Sequence, residues 1–101
     1  MERRLELHEK LKELFGSDHV YYQPPENVKM EYPAIRYSLN GIFTFRANDS
    51  LYGKRPQYQI IVIDRLPDNA VIEKILELPY SEYTRHYETD GLNHDVLTLY
   101  Y

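Results

Sequence analysis

Apolar positions along the chain alternate between a helical and a strand period, and each change of period marks an element. From Glu2 to Phe15, residues Leu7, Leu11, Leu14 and Phe15 share one side of a helix, with glutamates and lysines elsewhere. Glu6 and Lys10 stand one turn apart and support that helix, whereas Glu9 and Glu13 oppose it. Gly16 is the expected left-handed stop. The helical period then disappears over Ser17 to Tyr32. There Tyr21-Tyr22-Gln23-Pro24-Pro25 favours an extended path, and Val20 with one of the tyrosines can form a short edge strand. Beyond Tyr32-Pro33, residues Ile35, Tyr37 and Leu39 alternate with Arg36 and Ser38, the pattern of a half-buried strand from Ala34 to Leu39.

Asn40-Gly41 has two readings. It can turn a tight hairpin that pairs Tyr37–Leu39 with Ile42–Thr44. It can instead be a bulge within one long strand reaching Arg46. The turn then lies between Ala47 and Lys54, where Asn48-Asp49-Ser50 and Gly53 supply the chemistry. The second reading is slightly favoured, and it places Arg46, Asp49, Lys54 and Arg55 on a polar projection suited to contacting a partner.

The stretch from Arg55 to Pro79 reads as the centre of the fold. Ile60-Ile61-Val62-Ile63 leaves no polar side for water, so this strand is expected to be covered on both faces. Pro67 suits the first turn of a helix, and Asp68 or Asn69 can cap it. Ile72, Ile75 and Leu76 then form its buried side, and Pro79 ends it. Two further strands, Glu82–Tyr87 and Val96–Tyr101, flank a hairpin turn at Asp90-Gly91. The expectation is an α+β fold. It is a single small domain over residues 1–101, with a four- to five-stranded, mostly antiparallel sheet and two helices on one face, in the order α-β-β-α-β-β.

Composition narrows the chemistry. A chain of 101 residues with 43% hydrophobic and 28% charged residues can build one modest core. It has no cysteine, hence no disulfide, thiolate metal site or thiol nucleophile. No apolar run approaches the roughly 20 residues of a membrane span, and the basic start leads into no signal-peptide core. A soluble product made in the cytosol is therefore expected. The net charge of −4 argues against nucleic-acid backbone as the main ligand. Eleven tyrosines and no tryptophan suit strand faces and wet interfaces alike.

Four histidines were candidates for chemistry. His8 falls on the polar side of the first helix and His19 in a loop, while His86 and His94 flank the last turn near Asp90 and Asp95. A hydrolase or nuclease using His86, His94 and Asp95 is conceivable from composition. The simpler reading has Asn93 and Asp95 capping the turn and His94 bonding a neighbour. No HExxH, zinc knuckle, nucleophile elbow or phosphate-cradling glycine loop is present. Tyr83, Arg85 and Tyr87 can stack on bases, but cross-strand or intersubunit contacts explain them more simply.

Taken in order, His19-Val20-Tyr21-Tyr22-Gln23-Pro24-Pro25, Met30-Glu31-Tyr32-Pro33-Ala34-Ile35, Tyr58 to Asp68, and Asp90-Gly91-Leu92-Asn93-His94-Asp95-Val96 resemble the small tail-completion, or tail-terminator, proteins of tailed bacteriophages. The resemblance runs from about His19 to Tyr101, departing at Arg46–Lys54 and at Gly91. It implies an α+β protomer that closes into a hexameric ring on the tail tube, at the head–tail junction of the virion. The ring ends tube polymerisation and offers a surface to the head-completion (stopper) protein. It implies no active site and no cofactor or metal. The implied partners are copies of the chain itself, the tail tube protein and the head-completion protein. DNA passes only as cargo, which a ring of acidic protomers would repel, and no membrane is involved. Ring contacts need strand edges and aromatic anchors, for which Tyr21, Tyr22, Tyr100 and Tyr101 are candidates, although burial in the protomer's own core competes with that role. Another head–tail connector component, an adaptor or stopper, is the near alternative, and a monomeric binding module a more distant one.

Overall fold

The computed structural model describes the backbone of residues 2–47 and 50–101, and the side chains of residues 3–42 and 55–101. Helix α1 (Glu2–Phe15) is followed by β1 (Val20–Tyr22), β2 (Ala34–Ala47), β3 (Ser50–Asp64), helix α2 (Val71–Leu76), β4 (Ser81–Thr89) and β5 (Leu92–Tyr100). The strands form one five-stranded sheet in the order β1-β2-β3-β5-β4. Only β1 pairs in parallel, with β2; the other neighbours are antiparallel. This is the α+β architecture the pattern predicts, with the short strand at Val20 added before β2.

Cross-strand register explains the core. On one face, Val20, Ile35 and Val62 form a row that ends at Asp95 and His86. The next row is Tyr22, Tyr37, Ile60, Leu97 and Tyr83. Leu7 and Leu11 of α1, with Val71 and Ile75 of α2, close over these rows in one buried cluster. Each fully buried aliphatic side chain contributes roughly 1.5–3 kcal/mol. The 3.6-residue period of α1 therefore sets which side of the helix meets the sheet.

Several local expectations hold for identifiable reasons. Gly16 ends α1 at φ 72° and donates its N–H to the Lys12 carbonyl, a left-handed stop. Asp90 and Gly91 both have positive φ, the geometry of a two-residue hairpin between β4 and β5. Asn40 drops out of register between Leu39 and Gly41, so Asn40-Gly41 is a bulge inside β2 and not a turn. Ala47 pairs with Ser50 and closes the ladder around residues 48–49. The turn expected at Asn48-Asp49 thus lies outside the described residues. Gly53 belongs to β3, opposite Phe45, instead of turning the chain.

Other expectations change. Among the described residues no helix covers the second face of β3. Its apolar residues are nevertheless screened there: Ile63 is 3% exposed and its neighbour in the next row, Val96, 2%. Ile63 lies between Ala34 and His94, and Ile61 between Arg36 and Val96, so flanking strands supply the screen. Helix α2 starts at Val71, after the point where Pro67 was expected to open it, because Asp68 takes a left-handed φ of 60°. Ala70, not Asp68 or Asn69, is the N-cap residue and makes no side-chain cap bond; Asn69 Oδ1 accepts the Val71 N–H at 2.9 Å in the turn just before the helix. Leu76, expected on the buried side, is 39% exposed, and Val71 takes its place.

The glycines test this geometry. Gly16→Ala and Gly91→Ala should each destabilise by about 1 kcal/mol, because both backbones need positive φ. Gly41→Ala should stay within about 0.5 kcal/mol, since an added Cβ meets only Gln57 Oε1 at 3.9 Å. Urea unfolding of the three variants measures the difference. A large loss for Gly41→Ala would mean that Asn40-Gly41 turns the chain.

Candidate interaction surfaces

The β2 and β3 strands are 14 and 15 residues long, far longer than their neighbours need. Register shows where the excess lies. β1 accompanies β2 only along Ile35–Tyr37, and β5 accompanies β3 only along Gln57–Asp64. From Ile42 to Ala47, and from Ser50 to Arg55, the two strands pair only with each other among the described residues. The result is a two-stranded ribbon leaving the sheet, consistent with principal extents of 50 × 24 × 23 Å.

The root of the ribbon is tied down by polar and aromatic groups. Asn40 Nδ2 donates to Gln57 Oε1 at 2.9 Å, and Gln57 Nε2 donates to the Tyr100 hydroxyl at 2.7 Å. The Arg55 guanidinium lies 4.7 Å from the Tyr80 ring centroid, a cation–π contact. Of the candidate contact residues on the projection, Arg55 therefore sits at its root. Arg46 and Lys54 belong to its two strands, and Asp49 lies outside the described residues.

The candidate tyrosines divide between the two faces of the sheet. Tyr22 packs against the core, with its ring 4.9 Å from that of Tyr37 and Arg4 4.4 Å from its centroid. Tyr101 also leans on the core; its N–H donates to the Pro56 carbonyl and its carbonyl accepts from Arg3 Nε at 3.1 Å. Tyr21 lies in the opposite row, Tyr21–Arg36–Ile61–Val96–Arg85, and its hydroxyl accepts the Glu31 N–H. Tyr100 is on that face too, at the ribbon root.

The histidines do not converge. Asp95 is buried in the helix-side row, 7% exposed, and its Oδ1 accepts from the Tyr83 hydroxyl at 2.6 Å and from His86 Nδ1 at 2.9 Å. Tyr83 and His86 are three residues apart and would ordinarily face opposite ways. A register shift between Tyr83 and Arg85 lets both reach the same carboxylate. His94 goes to the other face, where its ring stacks on Tyr87 at 4.6 Å and its Nδ1 donates to the Leu92 carbonyl. Strand alternation thus separates His94 from the His86–Asp95 pair, and the three do not form one site. Asn93 and Asp95 do not cap the turn as expected. Asn93 Nδ2 reaches instead to the Asp64 and Arg65 carbonyls at the end of β3. Among the described residues no group of three metal-ligating side chains comes together, and no helix is long and apolar enough to cross a membrane.

His8 departs from its expected polar position. Its Nδ1 lies 2.6 Å from the buried Tyr37 hydroxyl, and burial, with Lys12 and Arg4 nearby, lowers its pKa below 6.5. Helical periodicity places residue 8 at the border of the buried face. Only the height of Tyr37 on β2 turns it inward. The neighbouring Tyr58 hydroxyl is buried with no partner among the described residues.

A search of protein-family models finds none that matches this chain, and no curated protein is significantly similar to it.

Two pH effects follow. The folded state holds the His8 proton less tightly than the unfolded chain, so stability should fall as pH drops below 6.5. His8→Gln should flatten that limb of a denaturation–pH profile. Donation to Asp95 raises the Tyr83 pKa from 10.0 to about 12. Its contribution is complete below pH 10.0 and should be lost as pH rises towards about 12. Tyr83→Phe should remove that alkaline loss at a cost of about 1 kcal/mol near neutrality. An unchanged alkaline limb would show that Tyr83 does not donate to Asp95.

Proposed function

We propose that this chain is a structural component of a tailed-phage virion, a tail terminator that acts by assembling with copies of itself. It caps the tail tube as a hexameric ring, ends tube polymerisation and presents a surface for head–tail joining. The observation that carries this reading is the β2–β3 ribbon. An isolated two-stranded ribbon is marginal in water and gains stability only from a third strand or a packed surface. Within one protomer neither β1 nor β5 follows it past its root. A ribbon of this kind is useful to a protein that seats it on a neighbour.

Other features support the same reading. The ordered segments from His19 to Val96 resemble the tail-terminator family. The net charge of −4 per protomer suits a ring whose bore DNA must traverse without sticking. A hydrolase built on His86, His94 and Asp95 gains no support, since those side chains occupy different faces of the sheet.

Light scattering on the purified chain, over a wide concentration range, should reveal a species of about six protomers, each of 12.2 kDa. Negative-stain images of that species should show closed rings. Added to polymerising tail tube protein, the chain should shorten the tubes and bind their ends. A chain that stays single at every concentration and leaves tube length unchanged would overturn the proposal.

A further inference from the structure

An open groove of about 450 Å³ runs along α1, lined by Leu5, Glu6, Glu9, Lys10, Glu13 and Tyr101. Its chemistry is unusual for the outside of a helix. Leu5 is 57% exposed, and three carboxylates face one lining lysine. Glu9 shares Lys12 at 3.8 Å, while Glu6 and Glu13 make no ion pair among the described residues. The groove ends at Tyr101, whose N–H is bonded to Pro56 at the root of the ribbon.

We propose that this groove receives the β2–β3 ribbon of a second copy of the chain. The inference rests on the self-assembly reading above and specifies its contact. The occupant is chosen by charge and by apolar content. Residues 42–55 carry Arg46, Lys54 and Arg55 against Asp49, so the ribbon is basic where the groove is acidic. They also carry Ile42, Phe43, Phe45, Leu51 and Tyr52, an apolar and aromatic content like that of Leu5 and Tyr101 in the groove. The charged positions recur on a similar length scale in groove and ribbon. Glu6 and Glu13 are about 10 Å apart along the helix. Register places Lys54 opposite Thr44, two residues from Arg46 and so about 7 Å along the ribbon. The ribbon leaves the sheet as a continuation of β2 and β3. Groove and ribbon are different surfaces, so the contact is head-to-tail and closes into a ring when the rotation allows.

Charge reversal tests it. Glu6→Arg with Glu13→Arg makes a groove variant, and Arg46→Glu with Lys54→Glu a ribbon variant. All four sites are on α1 or the ribbon strands, and circular dichroism checks that both variants fold. Each alone should raise the concentration needed for assembly, read by light scattering, by roughly tenfold or more. An equimolar mixture should restore assembly, because every junction then joins opposite charges. Variants that assemble like the wild type, or folded variants whose mixture stays unassembled, would overturn the groove while leaving rings of the wild type to support the broader reading. A wild type that never associates removes both. Binding of a fluorescent DNA duplex that is lost in the ribbon variant with no change in assembly would assign the ribbon to nucleic acid and overturn the inference.

Discussion

The hydrogen-bonded ladder between β2 and β3 sets the position of everything else. Along its first half the outer edges of both strands are occupied, by β1 on one side and β5 on the other. Backbone amides and carbonyls there are satisfied in both directions, and helices close over one face. Along its second half the same strands continue with no further strand beside them among the described residues. A single ladder therefore passes from the interior of a domain to an arm outside it. The bulge at Asn40 falls at the junction, and the Asn40–Gln57–Tyr100 hydrogen bonds secure the last pair that β3 shares with β5. Bulges bend and twist a ribbon, so this one helps set the direction in which the arm leaves the sheet.

The opposite edge of the sheet is managed differently. β4 is bonded on one side only and presents a nine-residue edge. It carries Glu82, Arg85 and Glu88 and a register shift after Tyr83, features that discourage pairing with another strand. The same shift turns Tyr83 and His86 towards Asp95. A carboxylate in a row with Val20, Ile35 and Val62 would be costly alone, and two donors on Oδ1 offset that cost. One local irregularity thus serves both to protect the edge and to satisfy a buried charge. The β4 edge is therefore a poor template for a further strand.

The helix layer is less uniformly apolar than its sequence suggests. α1 rests on Leu7 and Leu11 but also on a tyrosine layer, where Tyr22, Tyr37 and Tyr58 lie close together. His8 and Arg4 reach into that layer from the helix. Such a contact trades some burial for polar specificity, since Tyr37 finds a partner in His8 while the Tyr58 hydroxyl finds none among the described residues. It fixes the rotation of α1, and hence which glutamates point outward.

Periodicity and turn chemistry made much of the fold readable from residues alone. The bounds of α1, the left-handed stop at Gly16, the hairpin at Asp90-Gly91 and the strand from Tyr58 to Asp64 depend on local backbone preferences, which act over a few residues and need no partner. The resemblance to a family rests likewise on residue order, so its functional meaning is carried by sequence. Tertiary structure decided what local preference leaves open. Asn40-Gly41 suits a bulge only slightly better than a turn, and the pairing of Leu39 with Tyr58 and Gly41 with Gln57 selects the bulge. His86 and His94 look alike as candidates in a string, but strand parity and the shift in β4 send them to opposite faces. An unbroken run of β-branched residues says that a strand is buried, not what buries it. Here helices cover one side and flanking strands screen the other, because burial depends on neighbours brought together by pairing across dozens of residues.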